Sequence, residues 1–194
     1  MNERVKAILD FWFVESSQED HFKRNDFFDK KIRDLFENDY HKAISNKLED
    51  WQDKPESSLA LIILLDQFSR NLYRDNALAF AHDHKARLIV NEAIDRGDLE
   101  LITIDQKIFL ILPLIHSEDI SDHIYAHNLC DTYLKSHPQF DNIKKQFDYH
   151  TLAIKKFGRY PHRNKVLKRL STKKEKIFRR DAVALLLLRP RSVV

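Results

Sequence analysis

Glycine and cysteine are scarce in this sequence of 194 residues, which holds two glycines and one cysteine. With only Gly97 and Gly158, the chain cannot form a Gly-rich phosphate loop or the Gly-x-Ser-x-Gly turn that presents a nucleophilic serine. Cys130 has no partner for an internal disulfide, which is typical of a protein from a reducing compartment. No charged and then apolar leader precedes the first predicted helix. A cytoplasmic protein is therefore expected.

Long apolar runs are also missing. The longest uncharged ones, residues 59–65 and 108–115, are far shorter than the roughly 20 residues that a membrane helix needs, so no membrane span is expected. The sequence does contain 43% apolar residues, thirteen Phe and a nearly balanced charge of +3, which is typical of a folded protein. A chain of this length fits one domain around one core.

Apolar residues recur every three or four positions through most of the sequence, whereas strict alternation is hard to find, so an all-α fold is predicted. Asn2 and Asp26 are candidate N-caps of early helices. Residues 59–65 are apolar on every side, which predicts a central helix that neighbouring helices cover. The whole pattern predicts about seven to nine helices with short connectors, stacked as antiparallel pairs.

The second half of the chain continues the helical pattern. One helix is predicted over residues 77–96, and another begins at Asp105 and is kinked at Pro113. A short helix is predicted around residues 166–170. The stretch Thr172–Glu175 then has the spelling of a capping box, which predicts the start of one more helix.

Four ordered motifs give this chain a family resemblance. They are Leu64–Asn71, Ala79–Asp83, Pro113–Glu118 and Phe157–Asn164. Together they resemble the bacterial family of unknown function DUF924, whose fold is grouped with tetratricopeptide-like helical proteins. The resemblance covers about residues 1–178 and implies a helix-pair fold with a shared polar site, but no established activity.

The chain departs from the family pattern in two places. Lys168 stands where the pattern has Gly, after the leucine that follows the His-Arg-Asn loop. Residues 179–194 resemble nothing in the Pro- and Ser-rich family ending. We therefore divide the chain into one helical domain, residues 1–178, and an atypical C-terminal tail, residues 179–194, to which no function is assigned.

The central helix ends in a polar cluster of Asp66, Arg70, Asn71 and Arg74. Steps of four residues place Asp66, Arg70 and Arg74 nearly in line on one helix face. A solvated Asp66–Arg70 pair is one interpretation. However, a carboxylate beside the apolar run is expected to be partly buried, where an unpaired charge costs roughly 3 to 5 kcal/mol. A ligand site, in which a bound anion or Glu118 shares the two guanidinium groups, and a structural ion network remain equal alternatives.

The loop Phe157–Asn164 is the second polar cluster, and Gly158 and Pro161 restrict its backbone. Its candidate ligand-binding side chains are Arg159, His162, Arg163 and Asn164. Arginine suits the bidentate capture of phosphate or carboxylate. The alternative is a loop whose donors bind the last carbonyls of nearby helices. Because that role needs one or two donors and the loop has at least three, binding is favoured.

His116, Glu118 and His162 are the candidate catalytic residues. A histidine that meets the arginines could serve as general acid or base, with Glu118 orienting it. An isolated histidine at a helix junction is more often a packed or capping residue, so the structural interpretation of His116 is slightly preferred.

Three other features are interpreted as structural. His123 and His127 have the spacing of two metal ligands, but no Glu-x-x-His or Cys cluster accompanies them, so no metal site is predicted. Cys130 falls near an inward helix face. Residues 165–180 are strongly basic, but Phe178 is their only aromatic residue for stacking on bases, so a solvated face is preferred over nucleic-acid binding.

The sequence therefore predicts one polar pocket that binds a small anionic molecule, phosphate or carboxylate, with its turnover as a further option. The alternative is a tetratricopeptide-like scaffold whose helical groove holds an acidic peptide or protein partner. A closed pocket rimmed by arginines would favour the first function, and an open groove with exposed Asn and Lys would favour the second. No cofactor or oligomeric state follows from the sequence.

Overall fold

The structure, a computed structural model, describes residues 2–187, and only the backbone of residues 18, 22 and 181–187. This part of the chain is entirely helical and contains no strand, as predicted. Its α-helical segments are α1 Glu3–Asp10, α2 Gln18–Phe22, α3 Asp26–Ile44, α4 Pro55–Ile62, α5 Ser69–Leu72, α6 Asp83–Asp95, α7 Ile104–Ile115, α8 Ile120–Tyr133, α9 Phe140–Phe157 and α10 Lys173–Leu187.

The central helix is formed by α4 and α5, which the π-helical residues Ile63–Phe68 join into one continuous rod. Counted in this way, the described residues form nine separate helices, within the predicted range. Four short 3₁₀ turns connect them: Glu49–Asp53, Ala77–Phe80, Asp98–Glu100 and Pro161–Arg163. None of the described helices is both long and apolar enough to cross a bilayer.

Most helix ends follow from local side-chain chemistry. Asn2 accepts a hydrogen bond from the backbone N–H of Arg4, as predicted for an N-cap. Gly158 ends α9 in the left-handed conformation at φ 64°. Glu175 and Thr172 form the predicted capping box at the start of α10.

Two predicted caps are wrong by one or two residues. The side chain of Asn25, not Asp26, accepts from the first N–H groups of α3. Thr103, not Asp105, caps α7, where it forms a capping box with Gln106. In both cases the residue next to or near the true cap is an Asp in the first turn, where its charge favours the positive end of the helix dipole.

Two predicted helices also differ from the structure. The helix expected over residues 77–96 is interrupted, because the 3₁₀ turn Ala77–Phe80 precedes α6 at Asp83. The short helix expected around residues 166–170 is a series of turns. Lys168 there has a φ of 54°, a left-handed backbone that does not continue a helix and that favours glycine. This position is where the family pattern has Gly.

The core forms around the central helix. Every residue from Leu59 to Leu65 is buried, as the apolar run predicted. The helix α4 packs on α1, α6 and α7, and the following helices pack in chain order, α6 on α7, α7 on α8 and α8 on α9. This arrangement carries the polar end of the central helix to the C-terminal end of α7 and the loop after α9. Residues 188–194, which belong to the predicted tail, lie outside the described residues.

Candidate functional site

Asp66 is the most deeply buried charge of the site. It lies in the π-helical turn of the central helix and has no exposed surface. Arg70 Nη1 lies 3.1 Å from its Oδ1, and Gln67 Nε2 donates to its Oδ2 at 2.5 Å. Burial alone would raise the pKa of Asp66, but the charges of Arg70 and His116 and its hydrogen bonds hold that pKa below its ordinary value. Asp66 is therefore an ionised, acceptor-only group.

His116 is held by this carboxylate. Its Nδ1 lies 2.8 Å from Oδ1 and 2.9 Å from Oδ2 of Asp66. Because an ionised carboxylate only accepts, Nδ1 carries the proton of this bond, and Nε2 forms the opposite edge of the ring. Glu118, which was expected to orient His116, instead accepts from Arg169 Nη1 at 2.7 Å and from the backbone N–H of Tyr160 at 2.8 Å.

Asp83 joins the two polar clusters of the sequence. Its carboxylate accepts from Arg70 Nη2 at 3.1 Å and from Arg163 Nη1 at 3.0 Å. Arg163 also donates through Nη2 to the backbone carbonyl of His116 at 2.9 Å. The end of the central helix and the loop after α9 are therefore direct neighbours, although more than eighty residues separate them along the chain.

The guanidinium of Arg163 is almost entirely enclosed. Its central carbon lies 4.4 Å from the ring centroid of Phe80 and 4.7 Å from that of Tyr160. Only 7% of the side chain is exposed. Nevertheless, its buried Nε donates to no atom of the described residues. A buried donor of this kind is unusual in a folded protein and points to a missing acceptor.

These side chains enclose a pocket of about 280 Å³. It is lined by Arg24, Arg70, Arg74, Asp75, Ala79, Phe80, His116, His150, His162 and Arg163. Four arginines and three histidines thus face a single carboxylate residue across a small space. The carboxylates of Asp66, Asp83 and Asp29, which pair with three of these arginines, do not belong to the lining. The pocket therefore presents mainly hydrogen-bond donors and positive charge.

Two further histidines contribute to the pocket wall. Burial, followed by the charge of His116, lowers the pKa of His150 well below its ordinary value. Its Nδ1 lies 3.2 Å from the hydroxyl of Tyr160, which itself donates to the carbonyl of Ile115. His162 also lines this pocket, although much of the residue is exposed. Desolvation of its ring and the charge of Arg163 lower its pKa. Both imidazoles are neutral at pH 7.

A second pocket of about 210 Å³ lies on the other side of Arg163. It shares Phe80, His116 and Arg163 with the first pocket. Asp83 and Glu118 add carboxylates to its lining. This side of the site is therefore more acidic than the first.

Two predicted ligand residues of the central helix, Asn71 and Arg74, both donate to the carboxylate of Asp29. Arg74 Nη2 donates to Asp29 at 2.7 Å, and Asn71 donates to the same carboxylate at 2.8 Å. The predicted line of Asp66, Arg70 and Arg74 ends at Arg70, because α5 stops at Leu72. Arg74 still lines the pocket, whereas Asn71 does not.

Two predicted residues of the loop lie away from the pocket. Arg159 donates to Glu175 at 2.7 Å and to the carbonyl of Leu170 at 2.8 Å. Asn164 is fully buried and donates to Ser171 and Glu175. Both residues therefore attach the start of α10 to the loop. These contacts hold structure together, but they reach the first turn of α10 and not the last carbonyls of a helix, which the alternative interpretation named.

Several residues of the site were not predicted from the sequence: Arg24, Asp75, Ala79, Phe80 and His150 line the first pocket, and Asp83 pairs with two of its arginines. Phe80 and Asp83 belong to the motif Ala79–Asp83, one of the four that carry the family resemblance. His150 lies three positions after the inward-facing Phe147 on α9, so helical spacing placed it inward. Its role depended on which helix faces α9, and no local pattern contains that information.

The histidine pair of α8 has a structural environment. His123 is fully buried, and its Nε2 lies 2.9 Å from the carbonyl of Ser117 while its Nδ1 lies 3.0 Å from Thr151 Oγ1. His127 Nε2 lies 2.9 Å from the same hydroxyl. Nowhere in the described residues do three His, Cys, Asp or Glu side chains converge as a metal site would require.

Comparisons with other proteins agree with the helical architecture. Residues 8–182 match the model of the bacterial protein family of unknown function DUF924. A solved structure of a protein of unknown function from Agrobacterium tumefaciens is 33% identical, with a TM-score of 0.82 over 91% of this chain and 97% of that one. No curated protein matches the sequence.

Proposed function

We propose that this chain, which belongs to the DUF924 family of bacterial proteins of unknown function, binds a small anion in the pocket between Arg70 and Arg163. The ligand class is phosphate or carboxylate, and the expected setting is the cytoplasm. Arg70, Arg74 and Arg163 supply the guanidinium donors, and the ring of His116 lines the pocket beside them without being counted among the anion ligands.

The buried Nε of Arg163 is the observation that carries this proposal. An N–H group that is removed from water without an acceptor costs roughly 1 to 3 kcal/mol. An anion that enters the pocket lined by Arg163 would bring an acceptor to this guanidinium, and a small shift of the surrounding side chains would let it reach the enclosed Nε and remove the cost. Because the guanidinium is fixed by Asp83, His116 and two aromatic rings, its donors are oriented before a ligand arrives.

The distribution of charge supports the same ligand class. The carboxylates that pair with Arg70, Arg74 and Arg163 lie outside the lining. They balance the charge of the arginines and accept from some, not all, of the five N–H donors of each guanidinium. Recognition would then depend on directed hydrogen bonds more than on net charge, and such recognition favours a small ligand of matching shape over a general polyanion.

The alternative, a tetratricopeptide-like scaffold for an acidic peptide, has less support. The pocket has a volume of about 280 Å³ and, among the described residues, its lining holds no Lys or Asn. A peptide groove is expected to be longer and to present amide and amine groups along its length. The scaffold function therefore serves as an outcome of the binding test.

The test is isothermal titration of the purified chain with inorganic phosphate, acetate and an acidic peptide. Arg163→Gln should weaken phosphate binding by about 10- to 100-fold, because one charge-assisted hydrogen bond contributes roughly 1.5 to 3 kcal/mol. Lys6→Gln is the charge-matched control, since Lys6 is an exposed residue of α1 that pairs with Asp10, and neither of the two residues lines the pocket. This control should bind phosphate as the wild type does.

Thermal unfolding separates binding from structure in the same variants. Removing Arg163 also takes a partner from Asp83, so the melting temperature of Arg163→Gln should fall even without ligand. The informative quantity is the additional stabilisation by phosphate, which should be present in the wild type and Lys6→Gln and lost in Arg163→Gln. If phosphate and acetate stabilise none of the three proteins, the arginines form a structural ion network only. Binding of the peptide alone would favour the scaffold.

A further inference from the structure

We infer that His116 is a general base and acid in this pocket and that the chain hydrolyses phosphate monoesters of small alcohols. This inference rests on the proposed function, because the ester must be held by the same arginines. It adds a reaction and a substrate class to what was proposed above as binding.

The pairing of His116 with Asp66 is the first argument. A buried, ionised carboxylate on Nδ1 fixes the ring, sets its tautomer and stabilises the imidazolium that forms when Nε2 takes a proton. Asp66 has no exposed surface, and only 15% of the His116 side chain is exposed. Burying an ionised carboxylate costs free energy unless it is paired, and His116 is one of the partners that offset this cost for Asp66.

The position of His116 relative to both arginines is the second argument. Asp66 contacts the imidazole at 2.8 Å and the guanidinium of Arg70 at 3.1 Å. Arg163 holds the backbone carbonyl of His116 at 2.9 Å. An anion that contacts both guanidinium groups must therefore lie beside the imidazole, which also lines the pocket.

A phosphate monoester fits these donors better than a carboxylate does. A phosphoryl group has three non-bridging oxygens, and the guanidinium groups of Arg70, Arg74 and Arg163, which all line the pocket, offer several donors to them. Phosphoryl transfer is catalysed mainly by positioning and by stabilising charge on these oxygens, which is what fixed guanidinium groups provide. The pocket volume leaves room for a small alcohol beside the phosphate.

In the proposed step, a water molecule gives a proton to Nε2 of neutral His116 while its oxygen forms a bond to phosphorus. The ester P–O bond breaks on the face of phosphorus opposite the attacking water, and the imidazolium returns the proton to the leaving oxygen through a second water molecule. Water and the monoester are consumed, inorganic phosphate and the alcohol are formed, and His116 returns to its starting state. Asp66 does not touch the substrate in this scheme and is a positioning residue.

The experiment compares hydrolysis with binding in four proteins. The substrate is 4-nitrophenyl phosphate, and phenylphosphonate, which has no ester bond, reports binding. His116→Gln should lose about 100-fold or more of the hydrolysis rate and keep its affinity for phenylphosphonate. His41→Gln, which replaces an exposed histidine on α3, is purified in parallel and should match the wild type in both measurements. Arg163→Gln should lose affinity.

The outcomes separate this inference from the proposed function. Binding of phenylphosphonate without hydrolysis by the wild type overturns the catalytic inference and leaves anion binding intact. Failure to bind phenylphosphonate or inorganic phosphate removes the proposed function itself. If His116→Gln hydrolyses as the wild type does, the activity does not belong to His116. Loss of phenylphosphonate binding in His116→Gln would make the residue an anion ligand and would also overturn the inference.

The role of Asp66 has a separate readout that does not depend on activity. Histidine ¹⁵N spectra of the wild type should show neutral His116 with its proton on Nδ1, and Asp66→Asn should change that tautomer or its exchange with solvent. The pH profile of hydrolysis should shift in the same variant. The charged and titratable groups that face His116 are Asp66, Arg70, Arg163, His150, His162, Asp83, Glu118 and Arg87. A proton on Nε2 in the neutral wild type would contradict the assigned role.

Discussion

At the scale of single residues, Asp66 links structure and chemistry in this protein. A carboxylate without any exposed surface contacts an arginine, a histidine and a glutamine at once. Each contact offsets part of the cost of removing the charge from water. The result is that one buried group fixes both the imidazole and one of the guanidinium groups of the pocket. A change at Asp66 is therefore expected to disturb binding and stability together, which makes it a poor first variant.

Buried His123 is expected to make the stability of the protein depend on pH, and this dependence can be tested without changing the pocket. Burial lowers its pKa below the ordinary value of about 6.5, so the folded protein keeps it neutral where the unfolded chain binds a proton. The stabilising contribution of neutral His123 is fully present above about pH 6.5 and is lost as the pH falls below that value. Urea unfolding at about pH 7.5 and about pH 5 should show a lower free energy of unfolding at the acidic pH.

His123→Gln is the variant that assigns this dependence. The Gln side chain can still donate to the carbonyl of Ser117, but it does not titrate. Its loss of stability between the two pH values should be smaller than that of the wild type. It should not vanish, because burial also lowers the pKa of His21, His127 and His150. Equal losses in the two proteins would mean that His123 is not a source of the pH dependence.

The residues of the pocket were predictable to different degrees. Asp66, Arg70 and Arg163 stood out because strong donors and a carboxylate bordered apolar helix, where each needs a partner. Arg159 and Asn164 share that local environment, yet they bind Glu175 and fasten α10. Which arginine of one loop faces the pocket depends on the packing of distant helices. Residue type and spacing contain no such information.

At the scale of elements, most helices could be predicted from the spacing of apolar residues, whereas the conformations of the connecting segments could not. The run of residues 59–65 could only be a buried helix, because neither a strand pattern nor a solvated face fits it. In contrast, the interruption before α6 and the turns at residues 166–170 depend on backbone geometry. One of them has a signal in the sequence, since Lys168 stands where the pattern of the family that the chain resembles has Gly.

The backbone conformation of Lys168 leads to a testable prediction about stability. Its φ of 54° is a left-handed conformation that costs a residue with a Cβ roughly 1 to 2 kcal/mol, whereas glycine adopts it freely. Part of this gain is lost because glycine makes the unfolded chain more flexible. Lys168→Gly should therefore raise the free energy of unfolding by about 0.5 to 1 kcal/mol in urea titrations.

Lys165→Gly is the matched control for this change. Lys165 is also exposed and lies in the same series of turns, but its φ is not positive. Glycine should therefore only add flexibility to the unfolded chain there and lower the stability slightly. If both variants lose stability alike, the left-handed backbone at Lys168 imposes no strain.

At the scale of the whole molecule, one site is assembled from three distant parts of the chain. The central helix brings Asp66 and Arg70, the end of α7 brings His116, and the loop after α9 brings Arg163. Asp83 at the start of α6 joins two of these parts. The sequence predicted that the two polar clusters lie close together in space, because each contains charged residues and borders apolar helix. It did not predict Asp83 as the residue that connects them.

The start of the last helix, α10, packs on the rest of the fold. Phe178 on α10 stacks on Tyr149 with ring centroids 5.9 Å apart and contacts Phe157 edge to face at 5.3 Å. Glu175, only 2% exposed, accepts hydrogen bonds from Arg159 and Asn164. Arg159 lowers the pKa of this carboxyl, which keeps it ionised. The first turns of α10 are thus part of the fold, and the match to the family model ends within this helix, at residue 182.

The melting temperatures of two truncated chains would measure how much α10 contributes to stability. Removing residues 179–194 keeps Glu175 and Phe178, so the melting temperature should change by no more than a few degrees. Removing residues 172–194 strands Arg159 and uncovers the rings of Tyr149 and Phe157, so it should lower the melting temperature by roughly 10 °C, given about 2 to 4 °C per kcal/mol for a chain of this size. A large loss in the shorter truncation would show that residues after Phe178 pack on the core. Equal, small losses in both would show that α10 contributes little to stability.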